Sequence, residues 1–376
     1  MQIVCVHQGY ELYGSDRCFV DSVRVIRSTF PTAIIHVLLP LNGPLSQVLQ
    51  PLVDEVKIAR LWVLRKRGIG RLLAMAVIAF PCAVVRSIIS FRRSDLVYIN
   101  TVTVLDYLIA ARFFRNKALL HVHEAPEGLT GKAFGTIVRC VGVATIFNSE
   151  STRAAYKTSS QQCTYVVHNG IRKPVDCSEC SYDGCRPLRL LMLGRLSYGK
   201  GQDILIDACS LLPGTIRAAI EVRIVGSSFG SQVAFEKALA QRARSAAGPA
   251  TIRFEAFVED PAPLFEWCDV VVVPSRVREG FGRVAAEAMA YGRAAMAAAH
   301  GGLTEIVGDR QTGWLFKPRD PAAHAVVITE AVQCPQRVRD FGLAGRALVE
   351  RCFAAEVVDE RLQRILYQRF ERGAER

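Results

Sequence analysis

No stretch of this 376-residue chain is apolar for long enough to cross a bilayer. The run LLAMAVIAFPCAVV at 72–85 is fourteen residues long and holds Pro81, whereas a spanning helix needs roughly 20 apolar residues. Low-complexity tracts and short-period repeats are also missing, which leaves ordinary globular domains. No cleavable leader precedes the strand-like QIVCV at 2–6, so a reducing cytoplasm is the expected compartment for the twelve cysteines. Cys5, Cys82, Cys209 and Cys268 lie within apolar segments, where a free thiol behaves as a small hydrophobe. Cys177, Cys180 and Cys185 cluster, yet no fourth ligand has zinc-like spacing, and no Asp-x-Asp loop is placed to hold a divalent cation. No metal and no cofactor are therefore expected.

Acidic residues are the other shortage. There are 35 of them against 47 Lys and Arg, for a net charge of +12. The imbalance is local: residues 57–117 carry twelve basic side chains against Asp95 and Asp106 alone. Neither a regular aromatic-basic alternation nor a nucleic-acid-binding motif accompanies these charges, which argues against nucleic acid. The apolar 72–85 run, flanked by RKRGIGR and RSIISFRR, admits two readings. One is a buried helix of an α/β domain. The other is an apolar patch rimmed by cations that settles on an anionic membrane.

Half of the residues are hydrophobic, enough for two cores, and single cores stop growing near ~250–300 residues. Strand-like runs alternate with helical stretches in both halves, the pattern of two doubly wound parallel sheets. Strands are expected near 2–6, 34–39, 96–99, 118–122, 143–147 and 165–168. In the second half they are expected near 188–193, 222–225, 251–254, 270–273 and 295–299. The turn-rich DCSECSYDGCRP at 176–187 places the boundary, giving domains of 1–180 and 181–354. A final helix over about 355–376 aligns Val358, Leu362, Ile365 and Leu366 on one face.

The most informative segment is DVVVVPSRVREGFGRVAAEAMAYG at 269–292. Four valines without alternation predict a parallel strand covered on both faces. The loop after it lies at the carboxyl edge, where open α/β sheets bind ligands. It carries Glu279 and the triplet Gly280-Phe281-Gly282, whose glycines let backbone N–H groups approach a ligand at a helix N-terminus. Glu287 follows eight residues after Glu279, about 12 Å along the axis of a continuous helix. That separation suits two parts of an extended ligand. A second turn, in LLMLGRLSYGKGQDILIDA at 190–208, places Arg195 and Lys200 before a helix beginning near Gln202. Two cations beside a helix N-terminus make a diphosphate site.

These segments resemble the Glu-x7-Glu signature and the G-R-L…K-G segment of retaining GT-B glycosyltransferases, particularly glycosyltransferase family 4. GGLTEIV at 301–307 and TGWLFKPRD at 312–320 match family sequence too. The resemblance implies two Rossmann-like domains facing across a cleft, with the last helix packing back on the first. It implies that Glu279 contacts the hydroxyls of the donor sugar, beside the backbone amides of Gly280, Phe281 and Gly282. Glu287 would bind the ribose, and Arg195 and Lys200 would neutralise the leaving diphosphate. In QIVCVHQGYELYGSDR, Gly14 matches a glycine that approaches the donor phosphates and the acceptor from the loop after the first strand, although Tyr13 replaces the preceding glycine. In ALLHVHEAPEG, period-two alternation puts His121 and His123 on one face. His123 matches the family's strand-end His facing the donor sugar.

The activity so implied is transfer of a sugar, a hexose above all, from a UDP- or GDP-sugar to a lipid-linked or glycan acceptor. Anomeric configuration is retained, in cell-surface polysaccharide or lipopolysaccharide assembly at the inner face of the membrane. Two other readings fit the same residues: a nucleotide-sugar epimerase of the same fold, and a non-catalytic nucleotide-sugar-binding partner at a membrane.

Overall fold

The computed structural model describes residues 1–64, 69–228, 233–247 and 252–370, with side chains at 69–78, 233–234 and 246–247 excepted. The chain divides into two units, Met1–Gly170 with Glu356–Arg376, and Ile171–Ala355. Residues 171–187, which include the whole of the expected linker at 176–187, belong to the second unit. Ile171 bridges to Ala354, and Cys180 and Tyr182 are buried in that unit's core.

The first unit contains β1 (Gln2–Val6), β2 (Ile34–Leu39), β3 (Glu55–Ile58), β4 (Leu96–Ile99), β5 (Ala118–Val122), β6 (Ala144–Phe147) and β7 (Thr164–Val166). They form a parallel sheet in the order β3-β2-β1-β4-β5-β6-β7. Its central strands are buried on both faces, as expected of a sheet with helices above and below. On one face Ile3, Cys5, Ile35 and Val37 pack with Phe19, Val23 and Ile26 of helix Gly14–Thr29. Val358, Leu362, Ile365 and Leu366 of the last helix, Ala355–Phe370, complete that cluster. On the other face Val4, Val6, Val97, Ile99 and Leu120 meet Phe91, Leu108 and Val138.

The helix spanning the 72–85 run is Ile69–Arg93, with Pro81 inside it. Ala83, Ser87 and Phe91 are buried at i, i+4 spacing, while Val85 and Ile89 are exposed at 54% and 42%. This half of the helix covers the sheet with one stripe and leaves Val85 and Ile89 exposed, on a helix that also carries Arg86, Arg92 and Arg93. The described helices include none long and apolar enough to cross a membrane.

The second unit contains β8 (Leu188–Leu193), β9 (Ile220–Val225), β10 (Ile252–Glu255), β11 (Val270–Val273), β12 (Ala294–Ala298) and β13 (Gly313–Phe316). These form a parallel sheet in the order β10-β9-β8-β11-β12-β13. The four valines of β11 are buried, and Val270 pairs with Leu190 of β8 and Ala294 of β12.

Strands β3 and β13 were not among those expected. In β3 three of four residues are exposed, because it lies at the sheet edge and its hydrophobic signal is lost. In β13 the sequence is GWLF, too short to show a period.

Candidate active site

In the second sheet the strand order reverses between β8 and β11. The loops leaving these neighbouring strands lie at the carboxyl edge, where doubly wound sheets bind ligands. These loops, 194–201 and 274–282, run into helices Gln202–Leu211 and Arg283–Ala290. Two helix N-termini therefore flank one edge of the sheet. The loops are also bound to each other, since the Arg276 amide donates to the Gly199 carbonyl at 2.8 Å. Gly201 has φ +77, and a Cβ there would lie 2.2 Å from the Pro274 carbonyl oxygen. Only glycine lets the backbones come so close.

Glu279 lies at the junction. Its Oε1 accepts from Lys200 Nζ at 2.8 Å and from Ser275 Oγ at 2.5 Å. Burial alone would push this carboxyl up. The Lys200 ammonium, with the Ser275 hydroxyl and the charge of His300, outweighs burial and holds it below the usual carboxylate range. His300 is placed by its Nε2, 2.7 Å from the Ser275 carbonyl. Ser275 and His300 were not singled out from the sequence. The signal for His300 is its position just beyond β12, the strand beside β11, at the same carboxyl edge.

Glu287 stands in helix Arg283–Ala290, and its Oε1 accepts from Arg283 Nε at 3.0 Å and Nη2 at 2.9 Å. That helix begins at Arg283, so the interval from Glu279 to Glu287 is part loop. The 12 Å spacing of a continuous helix does not apply. The Phe281 side chain is buried and meets Phe353 edge-on at 5.5 Å, so what it offers a ligand is backbone. Gly282 has φ +110 and caps the helix. Arg195 is exposed on the other loop, which is anchored when fully buried Gln202 donates to the Arg195 carbonyl at 2.9 Å. Gly301 and Gly302, the first two residues of the GGLTEIV segment, buttress the Glu279 loop. The Gly302 amide donates to the Glu279 carbonyl at 2.8 Å, and a Cβ on Gly301 would lie 2.6 Å from that oxygen.

The first sheet reverses between β1 and β4. Gly14 is the first residue of helix Gly14–Thr29, one step past the loop in which the sequence placed it. Asp16 is a helix-start residue, the third of that helix, whose carboxylate takes the N-cap amide, and it has a second partner in His7. It is buried, with Oδ1 2.8 Å from His7 Nε2 and Oδ2 accepting from the Tyr13 amide at 2.9 Å. His123 follows β5, its Nε2 2.9 Å from Asn100 Oδ1. The rings of His121 and His123 are 4.1 Å apart on one face, as period two requires. Burial pushes His121 down to about 3, so it is neutral and structural, bonded to the Tyr98 hydroxyl at 2.5 Å. Beside them burial pushes the Glu124 carboxyl up, against the pull of the Thr101 hydroxyl. Gly14 and His123 thus belong to the first unit, and the other expected site residues to the second.

No group of His, Cys, Asp and Glu among the described residues could hold a metal ion. The second unit instead offers cations, backbone amides and two carboxylates, the equipment for a hydroxyl-rich anion.

Residues 186–348 match the family model described as glycosyl transferases group 1. The chain is 36% identical over 179 residues to the D-inositol 3-phosphate glycosyltransferase of Thermomonospora curvata, a match covering 46% of this chain and 41% of that protein. The chain thus spans about two fifths of the length of that curated relative. Across nearly its whole length it is similar to the Anabaena protein HepE in complex with UDP and glucose. The TM-score is 0.79 at 22% identity, covering 98% of this chain and 100% of that one. The lipopolysaccharide outer core galactosyltransferase WaaB also matches, with TM-score 0.71 at 14% identity over 98% and 99% of the two chains. The expected fold class, GT-B with two Rossmann-like doubly wound units, is the one this chain has.

Proposed function

We propose that this protein is a retaining glycosyltransferase of family 4 type, moving a hexose from a nucleotide-diphosphate sugar to a hydroxyl of a lipid-linked or glycan acceptor. The observation that carries the reading is the Lys200–Glu279–Ser275 cluster between two helix N-termini at the strand-order reversal. It joins a carboxylate for sugar hydroxyls to a cation for phosphate in one hydrogen-bonded unit. HepE binds UDP and glucose, which makes UDP-sugars the first donors to try.

In this reading the bond from the anomeric carbon to the diphosphate oxygen breaks while the acceptor oxygen forms its bond on the same face. The acceptor proton passes to the departing diphosphate, so no enzymic nucleophile is required. Arg195 and Lys200 stabilise the charge growing on the leaving group, the kind of preorganised electrostatics that often dominates catalysis. Glu279 and the amides of Gly280, Phe281 and Gly282 hold the sugar, Glu287 holds the ribose, and Gly14 and His123 serve from the first unit. No metal takes part. The surplus of cations over 57–117 supports an acceptor presented at the inner face of a membrane, with the protein bound peripherally.

A thermal-shift screen with UDP, GDP and ADP tests the donor half. A diphosphate at a hundred times its Kd stabilises the folded state by about 2.7 kcal/mol. Turnover of the matching nucleotide sugar then separates the alternatives. Hydrolysis without acceptor, and transfer with it, support the proposal, whereas a new epimer without acceptor overturns it. No shift with any of the three diphosphates also overturns it.

A further inference from the structure

Lys200 stands between two glycines, Gly199 and Gly201, so the backbone around it has little conformational preference of its own. Its ammonium rides on a flexible four-carbon stem. Even so, Lys200 Nζ is seated on Glu279 Oε1 at 2.8 Å. Much of the restraint comes from the facing loop, at residue 276.

Arg276 follows Ser275 in the loop after β11 and touches the chain on both sides of Lys200. Its Nη1 and Nη2 donate to Asp203 Oδ1 and Oδ2 at 2.5 and 2.6 Å. The two side chains are 15% and 11% exposed, and Asp203 is the second residue of helix Gln202–Leu211. A bidentate fork fixes orientation as well as distance, the more so where water is scarce. The same guanidinium lies over the Tyr198 ring, its central carbon 4.3 Å from the ring centroid. The Arg276 amide donates to the Gly199 carbonyl at 2.8 Å. Arg319 Nη2 in turn donates to the Arg276 carbonyl at 3.2 Å. Tyr198 is two residues before Lys200 and Asp203 three after it. One side chain thus grips the Lys200 turn at both ends. Asp203 neutralises the Arg276 charge, so Arg276 is not a second free cation at this edge.

We propose that Arg276 is a positioning residue, which locks Tyr198 and Asp203 to the Glu279 loop and so keeps the Lys200 ammonium where the diphosphate of a nucleotide sugar meets it. The clamp does not depend on what the site binds, while its effect on the diphosphate rests on the glycosyltransferase reading.

The test is a double-mutant cycle on the full chain, with Arg276→Lys, Lys200→Met and the two combined. Arg276→Lys keeps the positive charge but cannot reproduce the fork. In calorimetric titration it should weaken UDP binding about tenfold, within the range of coupling between neighbouring residues. Once Lys200 is replaced by Met, the same substitution should change UDP affinity little. Full UDP affinity in Arg276→Lys overturns the proposal, and so does an equal loss in both backgrounds. Urea unfolding of the same four proteins without ligand is the second arm. Lys200→Met should destabilise less when Arg276 is already Lys, because its pair with Glu279 is then already loosened. Additive effects overturn the clamp. If wild type binds none of UDP, GDP and ADP, the glycosyltransferase reading fails while the unfolding cycle still decides the clamp. Should Arg276→Lys not fold, Asp203→Asn, which weakens the fork from its other end, takes its place in both arms.

Discussion

Glu279 is ionised where burial opposes ionisation, and Lys200 is the chief reason. A carboxyl whose folded pKa is depressed adds stability that is present above its unfolded pKa of about 4.3 and is lost as pH falls through the folded value. In Lys200→Met burial is opposed only by the Ser275 hydroxyl and His300, and the same carboxyl should rise. The stability advantage of wild type over Lys200→Met should therefore widen as pH rises from about 4 to about 6. Urea unfolding at several pH values measures this, and a gap that stays constant with pH contradicts it. The two glutamates should also separate by function. If Glu279 holds the sugar as proposed, Glu279→Gln should lower turnover roughly tenfold or more with diphosphate affinity nearly intact. Glu287→Ala should weaken binding of the nucleotide itself. Identical behaviour of the two in calorimetric and kinetic assays would refute that division. Arg195→Ala and Lys200→Ala should each lower kcat/KM on the order of 10²-fold and reduce affinity for the diphosphate more than for the nucleoside.

At the scale of the element, the loop bearing Glu279 holds its shape because Gly301 and Gly302 press on it from the segment after β12. Gly301 and Gly292 both have left-handed backbone, at φ +65 and +68, but a Cβ on Gly292 meets nothing within 4 Å. Gly292→Ala should therefore cost only the backbone strain, about 1–2 kcal/mol, and leave the site intact. Gly301→Ala adds a collision with the Glu279 backbone, so it should lower Tm further and reduce donor turnover. Equal effects on both measurements would show that close approach is not what Gly301 supplies. The elements themselves were legible where burial was uniform. The β11 run of valines and the terminal helix stripe of Val358, Leu362, Ile365 and Leu366 needed nothing beyond periodicity. Edge strand β3 was not legible, because three of its four residues are exposed and pairing with β2 decides its conformation. Nor was the contact of His7 with Asn100, since the two lie 93 residues apart and only the sheet brings β1 beside β4. Ser275 and His300 escaped for the same reason, their shared role depending on β12 lying next to β11.

At the scale of the whole molecule, one of the two acidic residues among the cations of 57–117, Asp106, is buried, which leaves Asp95 as the exposed carboxylate of that span. Val85 and Ile89 are exposed on the helix that also carries Arg86, Arg92 and Arg93. Arg65, Lys66 and Arg67 lie outside the described residues. Each cation near an anionic surface contributes about 1 kcal/mol, and salt screens that attraction. Vesicles containing anionic lipid should bind the protein in co-sedimentation, less at high salt but still measurably, because the apolar contribution persists. Neutralising Arg65, Lys66 and Arg67 together should weaken that binding while donor hydrolysis continues. Binding that is equal for anionic and neutral vesicles, or absent for both, would remove the membrane from the proposal.

The last helix sets an order of events during synthesis. When the ribosome has delivered Gly170, the entire seven-stranded sheet exists, yet the cluster around Phe19 and Ile26 still lacks Val358, Leu362, Ile365, Leu366 and Phe370. The second unit is continuous from Ile171 to Ala355 and can close as soon as it emerges. At roughly 5–20 residues per second, the first unit waits some ten seconds or more with part of its core in water. Translation therefore finishes the two units in reverse of their genetic order, and a premature stop near codon 355 would leave the earlier-made unit open to chaperones and proteases while sparing the later one.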